Sequence, residues 1–144
     1  MDGAKKQTGQ IAILAVATPE TTNYMKGHKG AAYRAFVRAD DTESMSEDEF
    51  IEVFTKASDL LDVQLRDPHK NAVYVHCYAG INRSVCTIMS WVVRYTNLDP
   101  EKVLNYIERV NLDVRGMETL TNRRFRQLLP KLSRANTARS AARK

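Results

Sequence analysis

The chain has 144 residues, of which 43% are hydrophobic and 27% charged, as is typical of one soluble globular domain with a core of its own. No apolar run approaches the roughly 20 residues of a membrane span, and the N-terminus lacks the apolar segment of a signal peptide. The two cysteines do not suggest a secreted disulfide framework. We therefore expect an intracellular protein of the cytoplasm, with the nucleus left open, and no membrane partner.

The net charge of +5 comes from the C-terminal end, where five basic residues have no acidic residue among them. This segment is rich in Ala, Arg and Ser and has no apolar periodicity, so residues 133–144 are predicted to be a basic disordered tail. A solubilising end and a role in binding RNA or acidic partners are both left open. The five basic residues are Lys131, Arg134, Arg139, Arg143 and Lys144.

The first half of the chain predicts two strands and a long helix. Residues 1–10 are polar and are predicted to be flexible, whereas the apolar run at 11–17 and the aromatic and branched residues at 31–37 favour strands. A Ser-x-x-Glu capping box at 46–49 precedes apolar residues at helical spacing, which predicts a helix from about 47 to 65. These apolar residues are Phe50, Val53, Phe54, Ala57, Leu60 and Leu61.

The second half predicts one strand and three helices. Residues 72–75 are typical of a short buried strand, and 84–96 of an apolar helix. Asp99-Pro100 is typical of a helix start, since Asp caps and Pro occupies the first helical position. The predicted buried stripe of that helix is Val103, Leu104, Ile107 and Val110.

Residues 111–120 are predicted to be a loop, after which Thr121 or Asn122 caps a last helix that ends at Pro130. Strands come early, helices come late, and the connections are long enough for parallel pairing. We therefore predict an α/β fold with a small, mostly parallel central sheet flanked by helices, in one domain over residues 11–132. The last helix is expected to place Phe125, Leu128 and Leu129 in the core.

The turn between the strand at 72–75 and the following helix has the pattern of an anion-binding loop. Backbone N–H groups of such a loop converge on one point, and the helix dipole adds about half a positive charge there. Cys77 begins the loop, where this charge and Arg83 are expected to lower the thiol pKa well below the usual value of roughly 8.5. The planar Arg83 guanidinium can bind two phosphoryl oxygens at once. The predicted phosphate-binding residues are Cys77, Tyr78, Ala79, Gly80, Ile81, Asn82 and Arg83.

The spacing His76-Cys77-x5-Arg83-Ser84 resembles the signature of cysteine-dependent protein tyrosine phosphatases, and most closely the dual-specificity branch, with its short viral members a fair comparison. The resemblance implies a phosphocysteine intermediate on Cys77 and no cofactor. His76 would orient the loop, and Ser84 would stabilise the thiolate as a leaving group. No spacing of His, Cys and carboxylate residues suggests a metal site.

The same resemblance implies a general acid on a loop upstream of the nucleophile, because the departing alkoxide or phenoxide must be protonated. Asp40 and Asp41 are the acidic pair in such a loop, before a capped helix. We assign Asp41, with Asp40 as the alternative. Cys86 is interpreted as a small core residue, and capture of an oxidised Cys77 as a disulfide is the alternative.

Phosphorylated proteins are the expected substrates. Because the chain has no room for the loop that deepens the pocket of tyrosine-specific relatives, we expect a shallow cleft that reaches phosphoserine and phosphothreonine as well as phosphotyrosine. RNA 5′-phosphates, suggested by the basic tail and by Gly-Ile-Asn-Arg, are an alternative that is not favoured, and an inactive phosphoprotein-binding module is a third. Lipid substrates are disfavoured by Ala79 and Ile81, which stand where lipid-directed relatives carry basic residues. Since few residues precede Ile11, we expect a homodimer or a partner at the sheet edge beside 11–17.

Overall fold

A computed structural model of the protein describes residues 10–17, 31–77 and 81–135. The predicted α/β class with a small parallel sheet is confirmed. The predictions for Tyr78, Ala79 and Gly80, and for most of the two ends of the chain, fall outside the described residues. In chain order the elements are β1 Gln10–Ala17, β2 Ala31–Arg38, α1 Glu47–Leu65, β3 Lys70–His76, α2 Arg83–Tyr95, α3 Pro100–Arg115 and α4 Arg123–Leu128, followed by a 3-10 turn Leu129–Lys131.

The three strands form a parallel sheet in the order β2-β1-β3. Leu14 in β1 lies opposite Ala35 of β2 on one side and Val75 of β3 on the other. Parallel strands end at the same edge of a sheet, so the segment after β2, with Asp41, and the segment after β3, with Cys77, leave the sheet together. The predicted open edge beside 11–17 is wrong, because β1 is paired with β2 along one side and with β3 along the other.

The core joins β1 to three helices through a cluster of aromatic rings. Phe50 and Phe54 of α1 and Phe125 of α4 are fully buried, and their ring centroids are 4.8 to 5.8 Å apart. Leu14 and Val16 of β1 belong to the same cluster, as do residues of α2. Burying side chains of this size contributes about 1.5 to 3 kcal/mol each. The cluster therefore fixes α1, α2 and α4 against the sheet and against one another.

The helix starts agree with their sequence signals. Ser46 Oγ accepts a hydrogen bond from the Glu49 N–H at 3.1 Å, and Asp99 Oδ1 accepts one from the Glu101 N–H at 3.0 Å. Each side chain thereby satisfies one of the backbone donors that a helix start leaves without a partner. No helix in the part of the chain that the structure describes is long and apolar enough to cross a membrane.

Helix α3 is longer than predicted. It continues through Arg115 and ends at Gly116, whose φ of 65° is left-handed, so the predicted loop at 111–120 is wrong in its first half. Gly at this position is a common helix stop because it adopts a left-handed conformation without a steric penalty. In the predicted buried stripe, Val103, Leu104 and Ile107 are only partly buried against the core, and Val110 is 40% exposed. The prediction is therefore wrong for Val110.

The packed structure extends beyond the predicted tail boundary at 133. The Ala135 N–H donates to the Arg94 carbonyl at 2.8 Å, and Arg94 Nε donates to the Ser133 carbonyl at 2.9 Å. Because Arg94 is a buried cation, it needs such acceptors. The disorder predicted from 133 therefore does not hold for residues 133–135, and 136–144 lie outside the described residues.

Candidate active site

Cys77 directly follows β3, and Ser84 lies in the first turn of α2. The Cys77 thiol donates a hydrogen bond to Ser84 Oγ, with 3.4 Å between the two atoms. Both residues are buried. The strand end and the helix start therefore bring the sulfur and the hydroxyl together, at the place where the sequence predicts a nucleophile and the group that stabilises it.

The start of α2 has an unusual cap. Asn82 occupies the N-cap position, yet its side chain makes no hydrogen bond to the first turn of the helix. Asn at this position normally accepts such a bond. The side chain is instead directed to other parts of the site, so it does not take up the backbone N–H groups that attract an anion to a helix start.

Arg83 makes one hydrogen bond that stabilises the site and has a further N–H group that can donate. Its Nη1 donates to the Ala39 carbonyl at 2.9 Å, which ties the loop to the end of β2. Among the described residues, Arg83 Nε is a buried N–H without a hydrogen-bond partner. A buried donor left without a partner costs about 1 to 3 kcal/mol. An anion bound at the loop would remove this cost, because a phosphoryl oxygen accepts such N–H groups.

Asp41 lies at the loop even though it precedes Cys77 by 36 positions in the sequence. Asn82 Nδ2 donates to Asp41 Oδ2 at 2.8 Å, and Asn122 Nδ2 donates to Asp41 Oδ1 at 2.8 Å. Asp40 lines a different cavity, of about 380 Å³, together with Lys56 and other residues of α1. The carboxylate that contacts the predicted phosphate loop is therefore that of Asp41.

Asn122 is a site residue that the sequence predicted only as a helix cap. It does cap α4, since its Oδ1 accepts from the Phe125 N–H at 3.1 Å. Its backbone N–H also donates to Asn82 Oδ1 at 2.9 Å, so Asp41, Asn82 and Asn122 form a closed triangle of hydrogen bonds. No local pattern could reveal a contact between positions so far apart in the chain.

The segment before α4 also supports the loop through its backbone. The Leu120 N–H donates to the Ile81 carbonyl at 2.8 Å. Leu120 is fully buried and has a φ of 52°, in the left-handed region that a leucine rarely adopts. Such a conformation costs on the order of 1 to 3 kcal/mol, and the surrounding contacts must offset that cost.

The C-terminal turn of α3 contributes to the surroundings of the nucleophile. Cys77, Ser84 and His76 line a cavity of about 310 Å³, and Asn111 and Arg115 of α3 line it as well. These two residues fall in the region that was predicted to be a loop, and Gly116 was the signal that α3 extends this far. His76 is buried, and its ring stacks on that of Tyr74 at 5.4 Å between centroids.

Cys86 is fully buried in α2. Burial raises the pKa of its thiol well above the usual value, because the thiolate would lose its hydration in the core. Cys77 and Cys86 are not joined by a disulfide, and the burial of Cys86 agrees with its interpretation as a core residue. Within the described ranges, no group of three His, Cys, Asp or Glu residues is arranged to hold a metal ion.

The sequence matches the family described as dual specificity phosphatase, catalytic domain, over residues 2–132. The chain belongs to the dual specificity phosphatase family. The resemblance predicted from the Cys77 to Ser84 signature is thereby confirmed, as is the enzyme class, a protein-tyrosine or dual-specificity phosphatase. Enzymes of this class act on phosphorylated proteins.

Solved structures of phosphatases and of a phosphatase-like protein share the fold of this chain. DUSP15 is 21% identical with a TM-score of 0.59, and the alignment covers 90% of this chain and 73% of that one. The human tyrosine phosphatase-like serine/threonine/tyrosine-interacting protein is 18% identical with a TM-score of 0.64, covering 90% and 80%. The PTP-2 phosphatase of Cydia pomonella is 17% identical with a TM-score of 0.56, covering 90% and 75%. No curated protein sequence matches the chain significantly.

Proposed function

We propose that this protein hydrolyses phosphotyrosine and phosphoserine or phosphothreonine in proteins through a phosphocysteine intermediate on Cys77. Arg83 and the backbone of the loop bind the phosphoryl group, Asp41 is the general acid, and Ser84 stabilises the thiolate. No metal or cofactor takes part in the proposed steps. His76 is proposed to orient the loop by hydrogen bonding.

The observation that carries this proposal is the hydrogen bond from Asn82 to Asp41, at 2.8 Å. Asn82 is the residue before Arg83 in the sequence that begins at Cys77, so this bond joins the acid loop to the phosphate loop. A nucleophile, a phosphate-binding cation and a carboxyl group are the groups that phosphoester cleavage requires. Their convergence supports a catalytic site over an inactive binding module, for which the carboxyl group would have no use.

The reaction proceeds in two steps in which the Asp41 proton is given up and recovered. The Cys77 thiolate attacks phosphorus, a P–S bond forms, and the P–O ester bond breaks while Asp41 protonates the leaving oxygen. Water then attacks phosphorus and gives a proton to Asp41, and the P–S bond breaks to release inorganic phosphate and the thiolate. Ser84 favours the second step because its hydroxyl, 3.4 Å from the sulfur, can donate to the returning thiolate.

Arg83 is proposed to bind the charge that develops on the equatorial phosphoryl oxygens. Its Nη1 is held by the Ala39 carbonyl, so the guanidinium is oriented before the substrate arrives. Pre-organised donors of this kind stabilise a transition state without a reorganisation cost. The buried Nε, which has no hydrogen-bond partner among the described residues, is the donor that we propose a phosphoryl oxygen engages.

The experiment that tests the proposal is turnover by the wild type and by Cys77→Ser. We expect the wild type to hydrolyse p-nitrophenyl phosphate, phosphotyrosine peptide and phosphothreonine peptide, and Cys77→Ser to lose at least about 10⁴-fold in kcat. Inorganic phosphate should still bind to Cys77→Ser, because the loop backbone and Arg83 remain. Cys86→Ala is the matched control, since it removes the other thiol in the described structure and should retain activity.

Three results would contradict the proposal. Wild-type protein without phosphatase activity on any of these substrates would favour the inactive binding module. Cys77→Ser with nearly full activity would refute the phosphocysteine mechanism. Release of phosphate from 5′-triphosphate RNA but not from the phosphopeptides would instead assign the same chemistry to RNA.

A further inference from the structure

We infer that Asn122 is a positioning residue of this reaction: its side-chain amide holds Asp41 above the phosphate loop, in the orientation needed to protonate the leaving oxygen. The inference rests on the proposed function and adds to it a residue on the last helix of the described structure. Asn122 acts through Asp41 and does not itself react.

Asn122 uses all of its polar groups at the site. Its Nδ2 donates to Asp41 Oδ1 at 2.8 Å and to the Thr42 carbonyl at 3.1 Å, which engages both amide hydrogens. Its Oδ1 accepts from the Phe125 N–H, and its backbone N–H donates to Asn82. The residue is only 4% exposed. A buried amide with every hydrogen bond made has little freedom to rotate, so it is a rigid support for the acid.

Asp41 needs such a support because it is exposed on a loop. An aspartate side chain without partners would sample several rotamers, and only some of them would direct the carboxyl group at the leaving oxygen. Asn82 Nδ2 holds Oδ2 from the side of the phosphate loop, and Asn122 Nδ2 holds Oδ1 from the side of α4. Two neutral amides fix both oxygens without placing a cation beside the acid.

The start of α4 also holds the loop that carries Asp41. Arg124 Nε donates to the Met45 carbonyl at 2.9 Å, and the Arg123 N–H donates to Glu43 Oε2 at 3.3 Å. Residues 42–45 are therefore attached to α4 at three points when the bond from Asn122 to Thr42 is included. Of these contacts, only that of Asn122 continues to the Asp41 carboxyl group.

The capping role of Asn122 and its contact with Asp41 use different atoms, which makes them separable. Ser and Asp also supply an acceptor at the N-cap of a helix, but neither has an amide N–H to donate. Asn122→Ser and Asn122→Asp should therefore keep the cap of α4 and lose the support of Asp41. Asn122→Asp also places a like charge beside Asp41.

The experiment measures kcat for Asn122→Ser and Asn122→Asp on aryl phosphates of decreasing leaving-group quality and on a phosphoserine peptide. For Asn122→Ser we expect a loss of roughly 10-fold to 100-fold on the phosphoserine peptide, in line with the loss of a buried hydrogen bond. The loss should nearly vanish on the aryl phosphate with the best leaving group, which needs little protonation. Asn122→Asp should lose more, and inhibition by inorganic phosphate should be unchanged in both variants.

A double-mutant comparison separates positioning from stability. In an Asp41→Asn background, Asn122→Ser should cost nothing further, because there is no longer an acid to position. Ser46→Ala is the matched control. It removes the N-cap hydrogen bond of α1, which is 3.1 Å long like the N-cap bond of Asn122 in α4. It should not change how kcat depends on the leaving group.

An equal loss on every substrate, or an equal loss with and without the Asp41 carboxyl group, would show that Asn122 is only a helix cap and would overturn the inference. Failure of the proposed function gives a different result, namely no wild-type turnover or an active Cys77→Ser variant. The two failures are therefore distinguishable.

Discussion

Asp40 and Asp41 are neighbours in the chain but have different surroundings. Asp41 accepts hydrogen bonds from two asparagine amides, whereas Asp40 is exposed and lines a cavity beside α1. Successive side chains of an extended loop point in different directions, so only one of the two can contact the phosphate loop. The sequence identifies Asp40 and Asp41 as candidates for the general acid, but no local pattern distinguishes between them.

Asp41→Asn is predicted to lower kcat by roughly 10²–10⁴-fold on a phosphoserine peptide, the usual range for general acid catalysis. The mutant should approach wild type on an aryl phosphate whose phenol is a good leaving group. Asp40→Asn is the control and should behave like wild type; if it shows this pattern and Asp41→Asn does not, the assignment is off by one residue.

Cys86 gives the protein a predictable dependence of stability on alkaline pH. Burial raises its pKa in the folded protein, whereas the unfolded thiol ionises near its usual value of roughly 8.5. Between these two values the unfolded chain binds fewer protons than the folded one, so the free energy of unfolding falls as pH rises. The slope is at most about 1.4 kcal/mol per pH unit, and the full contribution is present below about pH 8.5.

Urea unfolding of wild type and Cys86→Ala between pH 7 and pH 10, in the same buffers, measures this effect. The variant loses some stability at neutral pH, because it leaves a small cavity, but its stability should fall less steeply at alkaline pH. Parallel curves for the two proteins would contradict the prediction.

At the scale of elements, the helices whose starts carry a local signal were predicted well at those starts. The capping box at Ser46 gave the start of α1, and Asp99-Pro100 gave the start of α3. The end of α3 was missed because its last turn has an irregular mixture of polar and apolar residues, although Gly116 marks the stop. Val110 was misassigned because α3 lies at the surface, where one apolar stripe does not determine which face is buried.

Arg94 is the residue that joins α2 to α1 and to the C-terminal segment. Its Nη1 donates to Ser58 Oγ and to Asp59 Oδ1, each at 2.7 Å, and its Nε donates to the Ser133 carbonyl. Its side chain is 9% exposed. Arg94→Met should destabilise the protein by about 1.5 to 3 kcal/mol, because the mutation removes charge-assisted hydrogen bonds to the buried Ser58 and the half-buried Asp59. Urea unfolding measures the change.

The control for Arg94 is the exposed pair of Arg126 with Glu108, whose side chains are 43% and 35% exposed. Glu108→Gln should change stability by less than about 1 kcal/mol, since exposed ion pairs contribute little. If Arg94→Met and Glu108→Gln lowered the free energy of unfolding equally, Arg94 would not be the buried residue that joins α2 to α1.

At the scale of the molecule, the contact between Cys77 and Ser84 was predictable because the two residues lie within one short stretch. The parallel sheet was predictable from the order of strands and helices. The central position of β1 was not predictable, because the order of the strands depends on long-range pairing that the sequence of a single segment does not determine. The role of Asn122 was missed for the same reason, since its partners lie about 80 and 40 positions earlier in the chain.

The central claim is that phosphate passes through Cys77, and trapping the intermediate tests it most directly. Ser84→Ala should slow release of the thiolate, so phosphoenzyme should accumulate during turnover of p-nitrophenyl phosphate. After acid quenching, mass spectrometry should find one phosphoryl group on the peptide that contains Cys77, and none when Cys77→Ser is added. Phosphate on another residue, or turnover that persists without Cys77, would contradict the account.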